Sequence, residues 1–298
     1  TGITIDHIAD FQSKSRMKYF YEKAGIPCAR WQKAESAEKA IEFANTYGYP
    51  IICKPDVGVG ASNTFKLSDE ADIIRCFSEP FEQDMLIEEF IPGECFTFDG
   101  ITNSKKEIQF ATSHHYVGSI MDSVNEQDSI GCYSLIDIPE DIMDIGTRCV
   151  QSFPTQSRFF HFEFFRLSED RDGLGKKGTI LGLEVNMRPP GGFLPDMINF
   201  ANDFDIYEIW AQIMIEDHIL IPPHHRHSCA FAGRRDNVSY AHTEFEISSR
   251  YRAQLKMMQR LPQALASAMG NTVSVAVFDT MEEVTEFFKY ALEKKHGN

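Results

Sequence analysis

The sequence has no C-x-x-C pair. Its seven cysteines stand singly at 28, 53, 76, 95, 132, 149 and 229. An odd number at irregular spacing argues against a secreted disulfide framework and a zinc knuckle, and a reduced, cytoplasmic protein is expected. No Lys/Arg cluster occurs: 29 basic residues stand against 44 acidic ones, a net charge of -15. Neither a nucleic-acid partner nor an anionic membrane surface is expected. An anionic ligand would have to be held locally, by a few placed cations and backbone N–H groups. No apolar run is long enough to span a bilayer, and the first residues do not read as a signal peptide. Repeats and low-complexity segments are also lacking. What is present is apolar material, 43% of 298 residues, enough for one large domain or two to three subdomains.

Periodicity assigns the elements. "SKSRMKYFYEKAG" carries Met17, Phe20, Tyr21 and Ala24 at helical spacing and stops at Gly25. A second helix runs from a cap at Ser36 to Gly48, and a third from a cap at Ser68. "PIICKP", "NTFKL", "DMLIEEF", "ECFTFDGIT" and "EIQFATS" read as strands. The stretch from His114 to Ser134 is polar and aperiodic and reads as a long loop. A helix after Pro139 buries Ile142, Ile145, Cys149 and Phe153. "RFFHFEFFRL" and "TILGLEVNM" are strands joined by a hairpin-like connection. A helix from Asp205 opens on a capping box with Glu208. "CAFAG", a helix around 248–259, "TVSVAVF" and a final helix from Met281 complete an α+β pattern with several sheets.

The chemistry concentrates in "LGLEVNMRPPGG". Side chains alternate faces along a strand. Thr179, Leu181, Leu183 and Val185 then face one way, and Glu184, Asn186 and, if the strand runs on, Arg188 the other. In "RFFHFEFFRL", His161, Glu163 and Phe165 share the face opposite Phe160, Phe162 and Phe164. If these two strands pair, Glu163 joins Glu184 and Asn186. Two carboxylates and an amide oxygen are hard ligands suited to Mg²⁺ carried with a nucleotide's phosphates. Arg188 would clamp an anion in its fork. A half-exposed strand with a polar outer face would read the same way.

Two further motifs bear on that choice. "IICKPDVGVGASNTFKL" places Lys54 at a strand end before Gly58, Gly60 and Ser62, a turn whose N–H groups can approach phosphate. It is not a Walker loop, which puts the Lys after the glycines. A Gly-containing hairpin with a surface Lys is the plain alternative. "MLIEEFIPGECFTFDG" is strand, short linker, strand, and an extended linker can offer N–H and C=O to an adenine edge.

In this order, with Lys14 ahead of "AGIP", the motifs resemble the ATP-grasp superfamily over nearly the whole chain. "EVNMRPPGGFLPDM" is similar to the carboxylate–amine ligases of the amino-acid-ligase and carnosine-synthase type, and the "QVEH" of biotin carboxylases is lacking. The resemblance implies an ATP-grasp fold whose two α+β subdomains clamp ATP: a helical lead-in over 1–47, a lid over 48–113 and a large subdomain over 114–298. By it, Lys14, Lys54 and Ser62 meet the phosphates. Glu88, the Glu89 carbonyl, the Ile91 N–H and Glu94 hold the nucleoside, and Glu163, Glu184 and Asn186 hold Mg²⁺, with Mn²⁺ as a substitute. Arg188 and Lys54 serve the reacting phosphoryl. Cys95 stands where many relatives carry the acid for ribose hydroxyls, which leaves Glu94. A Rossmann-like domain is expected ahead of Thr1 in a longer parent protein. The implied activity is ADP-forming ligation of a small carboxylate to an amine through an acyl phosphate, in a monomer or homodimer. The alternatives are a nucleotide-binding regulatory module without turnover, or a kinase or carbamoyl-phosphate-synthase-like activity on the same fold. The histidines of "PPHHRHSC" read as a solvated loop, since adjacent residues cannot easily share one metal. His114, His115 and Tyr116 either face substrate or lie exposed, and His161 is either a support for Glu163 or a packed core residue.

Overall fold

A computed structural model of the chain describes residues 5–58, 63–118, 128–220 and 227–295. Ser62, Gly60, His224 and His225 lie outside the described residues.

The first sheet holds β1 (Trp31–Lys33), β2 (Ile51–Pro55), β3 (Phe65–Leu67) and β4 (Met85–Glu89), in the order β1-β4-β2-β3. The helices Ala37–Tyr47 and Glu70–Cys76 cover one side of it. Ser36 caps the first helix and Asp69, one residue beyond Ser68, caps the second. Ile51 and Cys53 of β2 and Met85 and Ile87 of β4 pack into that helical layer. Alternation therefore turns Lys54 and Glu88 to the other side.

The second sheet holds β5 (Gly93–Thr102), β6 (Ile108–Thr112), β7 (His114–Val117), β8 (Ile130–Ser134), β9 (Arg158–Leu167), β10 (Ile180–Asn186), β11 (Ser228–Arg234), β12 (Leu255–Arg260) and β13 (Thr272–Phe278). Its order is β10-β9-β5-β7-β8-β11-β13-β12, with β6 also on β5. The chain thus passes from one sheet to the other at Ile91–Pro92. The boundaries expected at 47 and 113 are corrected: β1 and the helix Ala37–Tyr47 belong with the lid sheet, and β5 and β6 with the large one.

Three other expectations change. His114–Ser134 is not one loop, because its two ends are central strands. Their polarity hid them, and part of it is met inside the sheet: the His114 backbone N–H donates to the Thr97 hydroxyl oxygen at 3.0 Å, and Ser134 Oγ accepts the Cys229 N–H at 2.8 Å. The helix expected around 248–259 ends at Arg250, and Leu255–Arg260 instead joins β13 as an edge strand. The capping box at Asp205 is reduced to a cap, with Asp205 accepting the Tyr207 N–H.

One face of the large sheet carries the main core. Phe96 and Phe98 of β5, Phe160, Phe162 and Phe164 of β9, and Val185 of β10 pack with the helix Glu140–Ser152. Met17 and Tyr21 of the helix Lys14–Lys23 enter the same core. The register of β9 and β10 shifts between Gly182 and Glu184. That bulge breaks the expected alternation. Leu181, opposite Phe165, and Glu184, opposite Glu163, now share a face, while Val185 goes to the core.

Gly182 allows the bulge to lie against Tyr21. A Cβ there would stand 2.6 Å from the Tyr21 ring, and the Tyr21 hydroxyl donates to the Glu184 carbonyl at 3.0 Å. Gly182→Ala should therefore cost about 1–3 kcal/mol by overpacking, read as a lowered urea midpoint. Unchanged stability would show that Tyr21 yields freely.

Candidate functional site

The site lies on the other face of the large sheet, where the lid and the helix Lys14–Lys23 meet it. That helix bridges the two sheets. Met17 and Tyr21 point into the large core, while Lys14 and Lys18, four residues apart and both buried, point to the lid side. Its N-terminus is pinned to the turn after β2. Asp56 accepts from Ser13 Oγ and the Ser15 N–H, each at 2.8 Å, and the Lys14 N–H donates to Asp56 O at 2.8 Å.

Two clusters result. In the lid cluster, Glu88 Oε2 lies 2.7 Å from Lys54 Nζ and Glu88 Oε1 lies 3.1 Å from Lys18 Nζ. Lys18 also donates to Ala29 O at 3.1 Å. Burial would raise the Glu88 carboxyl, but the charges and hydrogen bonds of Lys18 and Lys54 outweigh it and hold the group at about 2.

In the sheet cluster, Glu184 and Glu163 stand opposite each other across β10 and β9. Asn186 Nδ2 donates to Glu184 Oε1 at 3.2 Å, and Lys14 Nζ lies 3.8 Å from Glu184 Oε2 and donates to Gly58 O at 3.1 Å. Burial, then the Glu163 charge, pushes the Glu184 carboxyl up, against the pull of Lys14. Two carboxylates facing each other across paired strands suit a divalent cation. Among the described residues no group of three or more His, Cys, Asp or Glu is placed to hold a metal. The donor set is two carboxylates and an amide, so phosphate oxygens and water would have to complete a Mg²⁺ shell.

Behind Glu163 the same face continues as Thr97 and Asp99 of β5, His161 of β9 and His114 of β7. Burial lowers the His161 imidazole, but Asp99 and Glu163 more than reverse this and raise it to about 10.

The structure brings together Lys14, Lys54, Glu88, Glu163, Glu184 and Asn186. It separates two others, Glu94 and Arg188. Glu94 falls on the core side of β5, 3.7 Å from His115 Nε2. Cys95 takes the site face instead, its thiol pushed up by burial and then by Glu163. Arg188 lies beyond the end of β10 at Asn186, exposed, donating to Pro189 O at 2.9 Å. The Glu89 carboxylate is engaged by Arg30 and Arg171, each at 3.2 Å, which ties the linker to the β9–β10 connection. Ile91 packs with Ala29, Leu167 and Leu181 in an apolar cluster flanked by Phe165.

Sequence reading missed Lys18, whose signal was its spacing from Lys14, and Asp99, whose signal was its alternation with Thr97 and Cys95. His227 pairs with Asp279 at 2.6 Å, away from either cluster.

A lid sheet and a large sheet thus close on paired carboxylates and buried lysines. Residues 12–152 match the family model described as phosphoribosylglycinamide synthetase, ATP-grasp (A) domain. Over these residues, a little under half of the chain, the sequence is similar to the ATP-grasp (A) domain family. It is 28% identical over 107 residues, 35% of its length, to the carbamoyl phosphate synthase large chain of Pyrococcus furiosus, covering 10% of that protein. It is 35% identical over 88 residues, 28% of its length, to the D-alanine–D-alanine ligase of Clostridium beijerinckii, covering 29% of that protein. The crystal structure of the L-amino acid ligase from Bacillus licheniformis superposes with TM-score 0.71 and 13% identity, over 100% of this chain and 75% of that one. The chain thus spans less than a third of the length of these two curated relatives. Among the described residues no helix is long and apolar enough to cross a membrane.

Proposed function

We propose that the protein is an ATP-dependent, ADP-forming carboxylate–amine ligase working through an acyl phosphate on amino-acid-like substrates. The observation that carries this reading is the opposition of Glu163 and Glu184, with Asn186 and Lys14 beside them, on the face the lid overhangs. Glu163, Glu184 and Asn186 would hold Mg²⁺, or Mn²⁺ in its place. The ion would neutralise charge on the phosphate oxygens. Lys14, Lys54 and Ser62 would bind phosphates. The Glu89 carbonyl and the Ile91 N–H would meet adenine, with the apolar cluster around Ile91 against its ring.

Glu88 is reassigned. With both oxygens committed to lysines, it fixes the Lys54 ammonium rather than reading the base. Glu94 is left out of the nucleotide set because it faces the core side. Arg188, exposed beyond the end of β10, would receive the substrate carboxylate or the acyl phosphate. Its fork suits either anion. Catalysis is then positioning and charge stabilisation. The partners are a small carboxylate and a small amine, in a cytoplasmic monomer or homodimer.

The test is ADP release across pairs of carboxylates and amines, with product mass. A ligase releases ADP only when both are present. Release with the acid alone and an accumulating phosphorylated product would make it a kinase. ATP binding without release for any pair would favour a regulatory module.

A further inference from the structure

Behind the metal-facing pair lies a line of buried groups with no part in the chemistry just described. His161 Nε2 lies 3.1 Å from Glu163 Oε1, and His161 Nδ1 lies 2.5 Å from Asp99 Oδ1. Asp99 Oδ2 lies 2.8 Å from His114 Nδ1 and accepts the Thr97 hydroxyl. The Thr97 oxygen in turn accepts the His114 N–H at 3.0 Å. Thr97, Asp99 and His114 are fully buried and His161 is 4% exposed. Both ring nitrogens of His161 face carboxylate oxygens, so the ring cannot flip or tilt without losing a contact. Asp99 is fixed in turn from two strands.

Burying two histidines and a carboxylate is costly unless every group is paired. A purely structural role could be filled by apolar residues on this face. The line instead ends on one of the two acids that face the lid. With Oε1 held by the ring, Glu163 has Oε2 left for a ligand.

We propose that His161, backed by Asp99 and His114, is a positioning residue that holds Glu163 in the orientation from which it binds the metal of the metal–nucleotide complex. The arrangement follows the general rule that groups hydrogen-bonded to a ligating side chain set its direction and basicity. This inference rests on the reading that Glu163, Glu184 and Asn186 receive the metal.

Mn²⁺ serves as the probe, with ADP present, on the whole chain, its binding followed by electron paramagnetic resonance. His161→Asn keeps a donor toward Asp99 and removes the one toward Glu163. It should weaken Mn²⁺ binding about 10- to 100-fold and leave metal-free ADP binding unchanged. His161→Gln, whose amide can reach Glu163, should recover part of the loss. His115→Asn, on the opposite face against Phe96, should have no effect. Wild-type Mn²⁺ affinity in folded His161→Asn would overturn the proposal. If that variant does not fold, the imidazole N–H proton resonances of the wild type decide. They should move when Mg²⁺ is added to the ADP complex, and an unmoved set overturns the proposal. The functional reading fails separately, if the wild type does not bind Mn²⁺ with ADP or if Glu184→Ala leaves that binding intact.

Discussion

Glu184→Ala is expected to abolish the strengthening of ATP binding by Mg²⁺ while leaving metal-free ATP binding at least as tight as in the wild type. Glu184 is partly buried opposite Glu163, and the desolvation and that charge together disfavour its ionised form. A divalent cation relieves this repulsion, which couples metal binding to the pair. With one carboxylate gone, charge-assisted contacts to the ion are lost. A drop of about 100-fold in Mg²⁺-dependent affinity, about 3 kcal/mol, is the expected scale. Lys14, 3.8 Å from Glu184 in the unliganded chain, is released by the same change and becomes available to phosphate. That sets the opposite sign for metal-free ATP. Calorimetric titrations with and without Mg²⁺ read both arms. Undiminished Mg–ATP affinity would remove the metal assignment from β10.

Glu88→Gln should cause the largest loss of stability. The carboxylate is 4% exposed and pairs with two lysines that are themselves buried. Removing one partner of a buried ion pair leaves uncompensated charge and costs about 3–5 kcal/mol. Linkage gives a compatible scale. The folded value of about 2 lies below the ordinary 4.5. Such a depressed carboxyl contributes stability that is present above the unfolded pKa and is lost as pH falls through the folded one. Its size here is roughly 3 kcal/mol. The gap in urea midpoint between wild type and Glu88→Gln should therefore be full at neutral pH and close between about pH 4.5 and pH 2. ATP should narrow the gap at neutral pH, because its phosphates give Lys54 another anion. A gap that persists undiminished at the acid end would mean that shape, not charge, is what Glu88 supplies.

How much of this was legible depended on whether local pattern or distant pairing decided an element. Ser36 and the apolar spacings of the helices Lys14–Lys23 and Ala37–Tyr47 act within a few residues, and those helices lie where periodicity put them. The strand Leu255–Arg260 could not be read, because its residues suit a helix until β13 offers an unpaired edge. The ends of the stretch 114–134 were hidden for a related reason. Buried polar residues look like loop residues until their partners are known, and His114 finds its partner in Asp99.

Within the site, period-two alternation by itself placed Glu184 with Asn186, and His161 with Glu163, on single faces. Lys54 was likewise marked by its place at the end of an apolar strand, before glycines. Only the tertiary structure decided how these faces meet. It set Glu163 opposite Glu184, and it moved Leu181 to the site side through a bulge that one-dimensional alternation cannot contain. It turned Glu94 away and gave Cys95 its place, and it locked Glu88 between Lys18 and Lys54. The reason is physical: alternation fixes direction relative to a strand's own backbone. Burial, charge compensation and register depend on groups tens of residues away, and those are set when the two sheets and the bridging helix pack together.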